Sequence, residues 1–140
     1  MTKELKFPGI GLVTQIFGYW PSFHDAEIKW LKMDRAHANG SGSTLEFVIH
    51  CWETTNKVSE SGYFIHKKNT LVHFRFQKIT DVDLRDFNSQ NAVFGLEIKS
   101  NEHFFQIYIP GANGLNGGFN SRSVEVLSAI PCDENGEPIE

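Results

Sequence analysis

Leu71-Val-His-Phe-Arg-Phe-Gln77 is the stretch on which the fold turns: Val72, Phe74 and Phe76 alternate with Leu71, His73, Arg75 and Gln77. Successive side chains of an extended chain leave on opposite sides, so a period of two makes a strand with one buried face and one wetter face. The same period recurs to either side. Upstream, Leu45, Phe47, Ile49 and Cys51 share a face, with Glu46, Val48, His50 and Trp52 on a mixed one. Downstream, Phe94, Leu96 and Ile98 alternate with Gly95 and Glu97, and Phe105, Ile107 and Ile109 with Phe104, Gln106 and Tyr108. Ser100-Asn101-Glu102 between these two runs predicts a hairpin, and Val124 and Val126 mark a last strand. The pattern predicts a mainly β chain, α+β in having one short N-terminal helix, built as an antiparallel sheet or sandwich in a single domain.

The breaks between runs complete the outline. Asn39-Gly-Ser-Gly-Ser43 accepts positive φ cheaply and predicts a hairpin turn. Before it, Ala26, Ile28 and Trp30 alternate and the phase then shifts to Leu31 and Met33, which predicts a bulge in a long first strand. Glu53 to Glu60 reads as a polar excursion ended by Ser61-Gly62, with Tyr63-Phe64-Ile65 as a short strand. Ile79 to Phe87 reads as a short polar-faced strand or a turn, and Gly111 to Gly118, after Pro110, as a flexible loop. The helix is expected from Pro8 to Phe17, with Ile10, Leu12, Val13, Ile16 and Phe17 on one side and Gly18 ending it. Residues 1–130 are expected to form the domain and 131–140 a loose polar tail.

Composition narrows the function classes. A chain of 140 residues fits one domain and buries roughly two thirds of its unfolded surface without staples. A net charge of −4, with short basic clusters such as Lys67-Lys68 in place of a stripe, argues against nucleic acid. No apolar run approaches the roughly 20 residues of a membrane span, so no membrane role is expected. The two cysteines lack CxxC spacing and Met-Thr-Lys-Glu-Leu5 begins no signal segment, which together predict a cytoplasmic protein with Cys51 as a buried small hydrophobe and no disulfide to Cys132.

Candidate chemistry concentrates in Phe17-Gly-Tyr-Trp-Pro-Ser-Phe-His-Asp-Ala-Glu-Ile28. His24, Asp25 and Glu27 could be acid/base groups or metal ligands of a small metal-dependent or hydrolytic enzyme. Alternatively they lock a corner, Asp25 accepting turn amides and His24 meeting a carbonyl. In an extended chain His24 and Asp25 would point to opposite faces, leaving only Asp25 and Glu27 on one side. Zinc spacing, a GxSxG elbow and a phosphate-loop ending are all missing, so no catalytic residue, metal ligand or cofactor is assigned. His50, His66, His73 and His103 read as scattered strand positions. Trp20 reads as a plug between helix and sheet, while Trp52 is open between core and exposed anchor. An exposed β edge would also allow a structural domain that self-associates as a homo-oligomer.

Phe17 to Ile28 resembles the signature of the immunity protein 50 family of bacterial polymorphic toxin systems, and Leu71 to Asn91 with Val93 to Ile98 is similar to that family's middle block. The resemblance implies a small cytoplasmic protein, not an enzyme, that binds a cognate toxin and neutralises it by stoichiometric occlusion. Trp20, Pro21, Phe23, His24, Asp25 and Glu27 carry over as motif positions of architectural use. Toxin contact is then expected from exposed segments, Asn39 to Ser43, Thr54 to Lys68 and Gly111 to Gly118, and from Trp52, Glu53, Tyr63, Asn113 and Asn116.

Overall fold

The computed structural model of the chain describes residues 5–35, 42–58, 60, 62 and 64–139, with 55–58 and 64–66 described as backbone alone. Among these, helix α1 (Ile10–Phe17) precedes strands β1 (Glu27–Asp34), β2 (Thr44–Val58), β3 (Phe64–Gln77), β4 (Thr80–Arg85) and β5 (Ala92–Val93). There follow β6 (Glu97–Ser100), β7 (Phe105–Ile109), β8 (Gly111–Asn113), β9 (Asn116–Ser121) and β10 (Ser123–Pro131). One antiparallel sheet runs β10-β3-β2-β1-β5-β8 and a second runs β4-β9-β7-β6. The mainly β expectation with one short helix therefore holds.

The alternation maps directly onto burial. Leu45, Phe47, Ile49 and Cys51 of β2 and Val72, Phe74 and Phe76 of β3 are all buried, in register as Leu45 opposite Phe76, Phe47 opposite Phe74 and Ile49 opposite Val72. The second sheet adds Ile98, Ile107, Ile109 and Phe119 to the same core, and Phe76 meets Phe119 edge-on at 4.9 Å between the sheets. Edge-to-face rings at this distance gain from the ring quadrupoles beyond their burial. The β6–β7 hairpin pairs Ile98 with Ile107, as the turn at Asn101 predicts. The register of β1 against β2 shifts between Ile28 and Trp30, placing the expected bulge at Lys29; Leu31 and Met33 then face Phe47 and Leu45 while Trp30 turns outward.

Several expectations are corrected. β2 and β3 are longer than the alternation suggests: the polar stretch after Trp52 continues β2 to Val58 and Phe64 belongs to β3, with irregularities at Cys51/Glu53 and Thr54/Val58 absorbing the loss of period. The run Phe94 to Ile98 is not one strand. It bends at Phe94-Gly95-Leu96, sending β5 into the first sheet and β6 into the second, so Phe94 is exposed although Leu96 and Ile98 are buried. Residues 111–118 are mostly strand where a loop is expected: 111–113 form β8 and 116–118 open β9, with Gly114-Leu115 joining them. The glycines permit close backbone approach, since a Cβ on Gly117 would lie 1.9 Å from the Asp83 carbonyl oxygen and one on Gly118 2.6 Å from that of Ile107. Leu12 of α1 is exposed, the helix burying Val13 and Phe17 instead; Gly18 ends it, its N–H donating to the Thr14 carbonyl.

The polar end of the chain folds back on itself and against β1 and β2. Cys132 bridges to Pro138, the Asp133 carboxylate accepts the N–H groups of Asn135 and Glu137 at 2.8 and 3.0 Å, and Gly136 lies against His50 and Lys29. His50 is buried as a result, its Nε2 2.9 Å from Asn69 Oδ1. Cys51 and Cys132 are free thiols; burial pushes Cys51 up to about 12 and raises Cys132 as well, so both stay protonated and inert at neutral pH.

Candidate functional site

The motif before β1 forms a corner in place of an extended approach. Phe23 and Asp25 both adopt left-handed backbone angles, φ 63° and 65°, with the Ala26 N–H donating to the Phe23 carbonyl at 3.1 Å. Such angles in a bulky residue cost on the order of 1–3 kcal/mol and persist only where neighbours enforce them. Here the neighbours are the chain between the sheets: Asp25 N–H donates to Val93, Val93 N–H to Ala26, Ile28 N–H to Asn91 and Leu96 N–H to Ser22. Phe23 and Ala26 are buried beneath the turn, and Trp20 packs edge-on against Phe7, Phe23 and Phe74, joining the chain ahead of α1 to β3.

This geometry revises the expected roles of the polar residues. Because 23–25 turn, His24 and Asp25 do not diverge: Nδ1 and Oδ2 lie 3.1 Å apart with both side chains about two-thirds exposed, at 63% and 65%. The corner's amides are taken by backbone carbonyls and by Ser22 Oγ, which accepts the His24 N–H, so Asp25 does not serve as their acceptor. Glu27 is half-buried at the start of β1, its backbone opposite His50 and Ala92. Among the described residues no group of three His, Cys, Asp or Glu could hold a metal ion. His50 pairs with Asn69 and His73 with Glu46 at 2.8 Å; the side chain of His66 lies outside the described residues.

The corner instead forms one wall of a shallow groove of about 190 Å³, bounded by Tyr19, Pro21 and His24 on one side and by Trp52, Glu53 and Thr54 of β2 on the other. Tyr19 spans it, its hydroxyl donating to Glu53 Oε2 at 3.0 Å, and Lys67 and Lys68 approach the same carboxylate at 3.3 Å. The Tyr19 hydrogen bond, ahead of the two lysines, holds the Glu53 carboxyl below its ordinary range. Desolvation and then that carboxylate raise the Tyr19 phenol. Trp52 is half-buried, its indole edge-on to His50 at 5.0 Å. The groove thus combines a corner tied by backbone hydrogen bonds, an aromatic side chain on each wall and an ordered charge cluster. It is well below the roughly 300–1,000 Å³ of a small-molecule cleft.

Of the residues expected to touch a partner, the fold brings Trp52 and Glu53 to the motif corner. Asn113 and Asn116 lie elsewhere, at β8 and the start of β9, with Asn113 Nδ2 donating to Gln90 Oε1 at 3.1 Å; Tyr63 lies outside the described residues. In the sequence Tyr19 reads, like Trp52, as either a binding anchor or core, and nothing there marks its bond to Glu53. Its signal was its place beside Trp20-Pro21, but its acceptor is 34 residues away. No helix among the described residues is long and apolar enough to cross a membrane.

Comparison with curated proteins and with solved structures finds no match. The family model described as immunity protein 50 matches residues 11–131, a span that takes in the corner, both walls of the groove and both sheets. This chain is a member of the immunity protein 50 family.

Proposed function

We propose that the protein acts in the cytoplasm as the immunity partner of a polymorphic toxin, binding it one to one and occluding its active or substrate surface. No bond is made or broken by the immunity protein in this scheme, and no cofactor is needed. Its family supports the general role. The observation that carries the site is the convergence of Tyr19, Trp52 and Glu53 on the motif corner. Aromatic anchors beside an ordered charge cluster suit a protein interface, where a few well-packed side chains dominate binding.

On this reading the gene immediately upstream should encode a toxin domain, and the test is co-expression with it. Growth is expected to be rescued, and the purified pair to form a complex at micromolar concentration. Trp52→Ala, and separately Tyr19→Ala, should each weaken the complex by tenfold or more, the effect of about 1.4 kcal/mol or more at a dominant contact. Absence of a complex would overturn the reading. So would stoichiometric bound metal that His24→Ala abolishes, which would favour the enzyme alternative.

A further inference from the structure

A second hollow, of about 670 Å³, shares no residue with the groove. Four chain connections converge on it: Gly42-Ser43 ahead of β2, Lys78-Ile79 between β3 and β4, His103 between β6 and β7, and Arg122 between β9 and β10. Their backbones are tied together. Lys78 N–H donates to the Ser43 carbonyl at 2.7 Å, Arg122 N–H to that of Gln77 at 3.0 Å, and Ser43 Oγ both accepts from Ile79 N–H and donates to the Ile79 carbonyl. The His103 turn is held by Asn101 Oδ1, 2.9 Å from its N–H. Loops positioned on a rigid scaffold in this way are the usual carriers of binding residues.

The charge of this hollow runs against that of the molecule. The chain carries a net −4, yet the described lining holds two cations, Lys78 and Arg122, beside the His103 imidazole and no carboxylate. Elsewhere, Lys67, Lys68, Arg75 and Arg85 each sit within 3.3 Å of a carboxylate, whereas no ion pair among the described residues reaches Lys78, Arg122 or His103. The acids close by in sequence, Asp81 and Glu102, both lie outside the lining, and Asp81 accepts from Asn120 Nδ2. All three basic side chains are exposed.

We propose that this basic end is a docking site for an acidic segment of a partner protein. Width and exposure decide the class of ligand. A single small anion would meet one or two water-exposed cations, a contact worth little, screened beyond about 8 Å at physiological salt. A segment bearing several carboxylates engages all three groups at once and is steered toward them from a distance. The inference rests on the protein being a binding module but not on the groove.

The test uses a fluorescein-labelled hexaglutamate peptide titrated into the full chain at low ionic strength. Saturable binding is expected, weakened at least tenfold by the double variant Lys78→Glu/Arg122→Glu and by raising salt to 0.3 M. The control double variant Lys32→Glu/Lys99→Glu makes the same change in net charge at exposed sites outside the hollow and should change affinity less than twofold. Equal loss in the two double variants, no saturable binding, or tripolyphosphate binding more tightly than the peptide would each overturn the proposal. Peptide binding that survives while the toxin complex does not form would separate this inference from the immunity reading.

Discussion

Gly117 and Gly11 show how far one residue type differs by place. Gly117 has φ +132°, and a Cβ there would overlap the Asp83 carbonyl, so Gly117→Ala must move β4 from β9 or strain the backbone. We expect a loss of about 2 kcal/mol or more in chemical denaturation. Gly11 lies inside α1 with nothing within 4 Å of a built Cβ, so Gly11→Ala should stabilise by about 0.5–1 kcal/mol in the same measurement. The cluster from 111 to 118 suggests a loop because composition reports conformational freedom, and the same freedom serves close packing of strands. That distinction depends on Asp83 and Ile107, which are distant in sequence, and no local pattern contains it. The His24 and Asp25 pairing is hidden for a related reason: strand alternation begins only at β1, after the left-handed angles at Phe23 and Asp25.

Among the elements, the alternating stretches of β2 and β3, the β6–β7 hairpin and the start of β10 were legible because each keeps its apolar period there, with one face against the core. The segment from 131 to 139 was not, since its order comes from Asp133 collecting backbone amides and from His50 beneath it, and neither leaves a hydrophobic period. Those amides, Glu137 first, hold the Asp133 carboxyl below the ordinary carboxylate range. A depressed folded-state value means that its contribution is fully present above the unfolded value, near 3.9, and is lost as pH falls through the folded one. Amide exchange at Asn135 and Glu137 should therefore accelerate, beyond the intrinsic pH trend, as pH is lowered from 5 toward 2. Asp133→Asn should show weak protection already at pH 5. Unchanged protection in that variant would remove the carboxylate from the account.

At the scale of the whole molecule, a single core lies between two sheets that the chain crosses at 94–96. Phe119 of β9 is the second sheet's ring against Phe76, and Phe119→Ala should cost about 3–5 kcal/mol. One unfolding transition, monitored by fluorescence and by far-ultraviolet dichroism together, would show the sheets lost as a unit; separated transitions would show them to be independent. The two-sheet arrangement was readable only as sheet or sandwich, because the bend that divides Phe94 to Ile98 between them is enforced by Ser22 and Pro110, partners lying far away in the chain.

That bend also constrains how this protein could be retargeted. The corner at Ser22 to Ala26 is tied through its backbone to Val93 in one sheet and to Leu96 at the crossing into the other, so it works as a coupling between two frames. Substitutions at Phe23 or Ala26 would loosen the coupling before they altered any affinity. Room for redesign lies on the groove's rim, at Tyr19 and at Trp52 to Thr54, where side chains can be exchanged like a collar around a fixed socket.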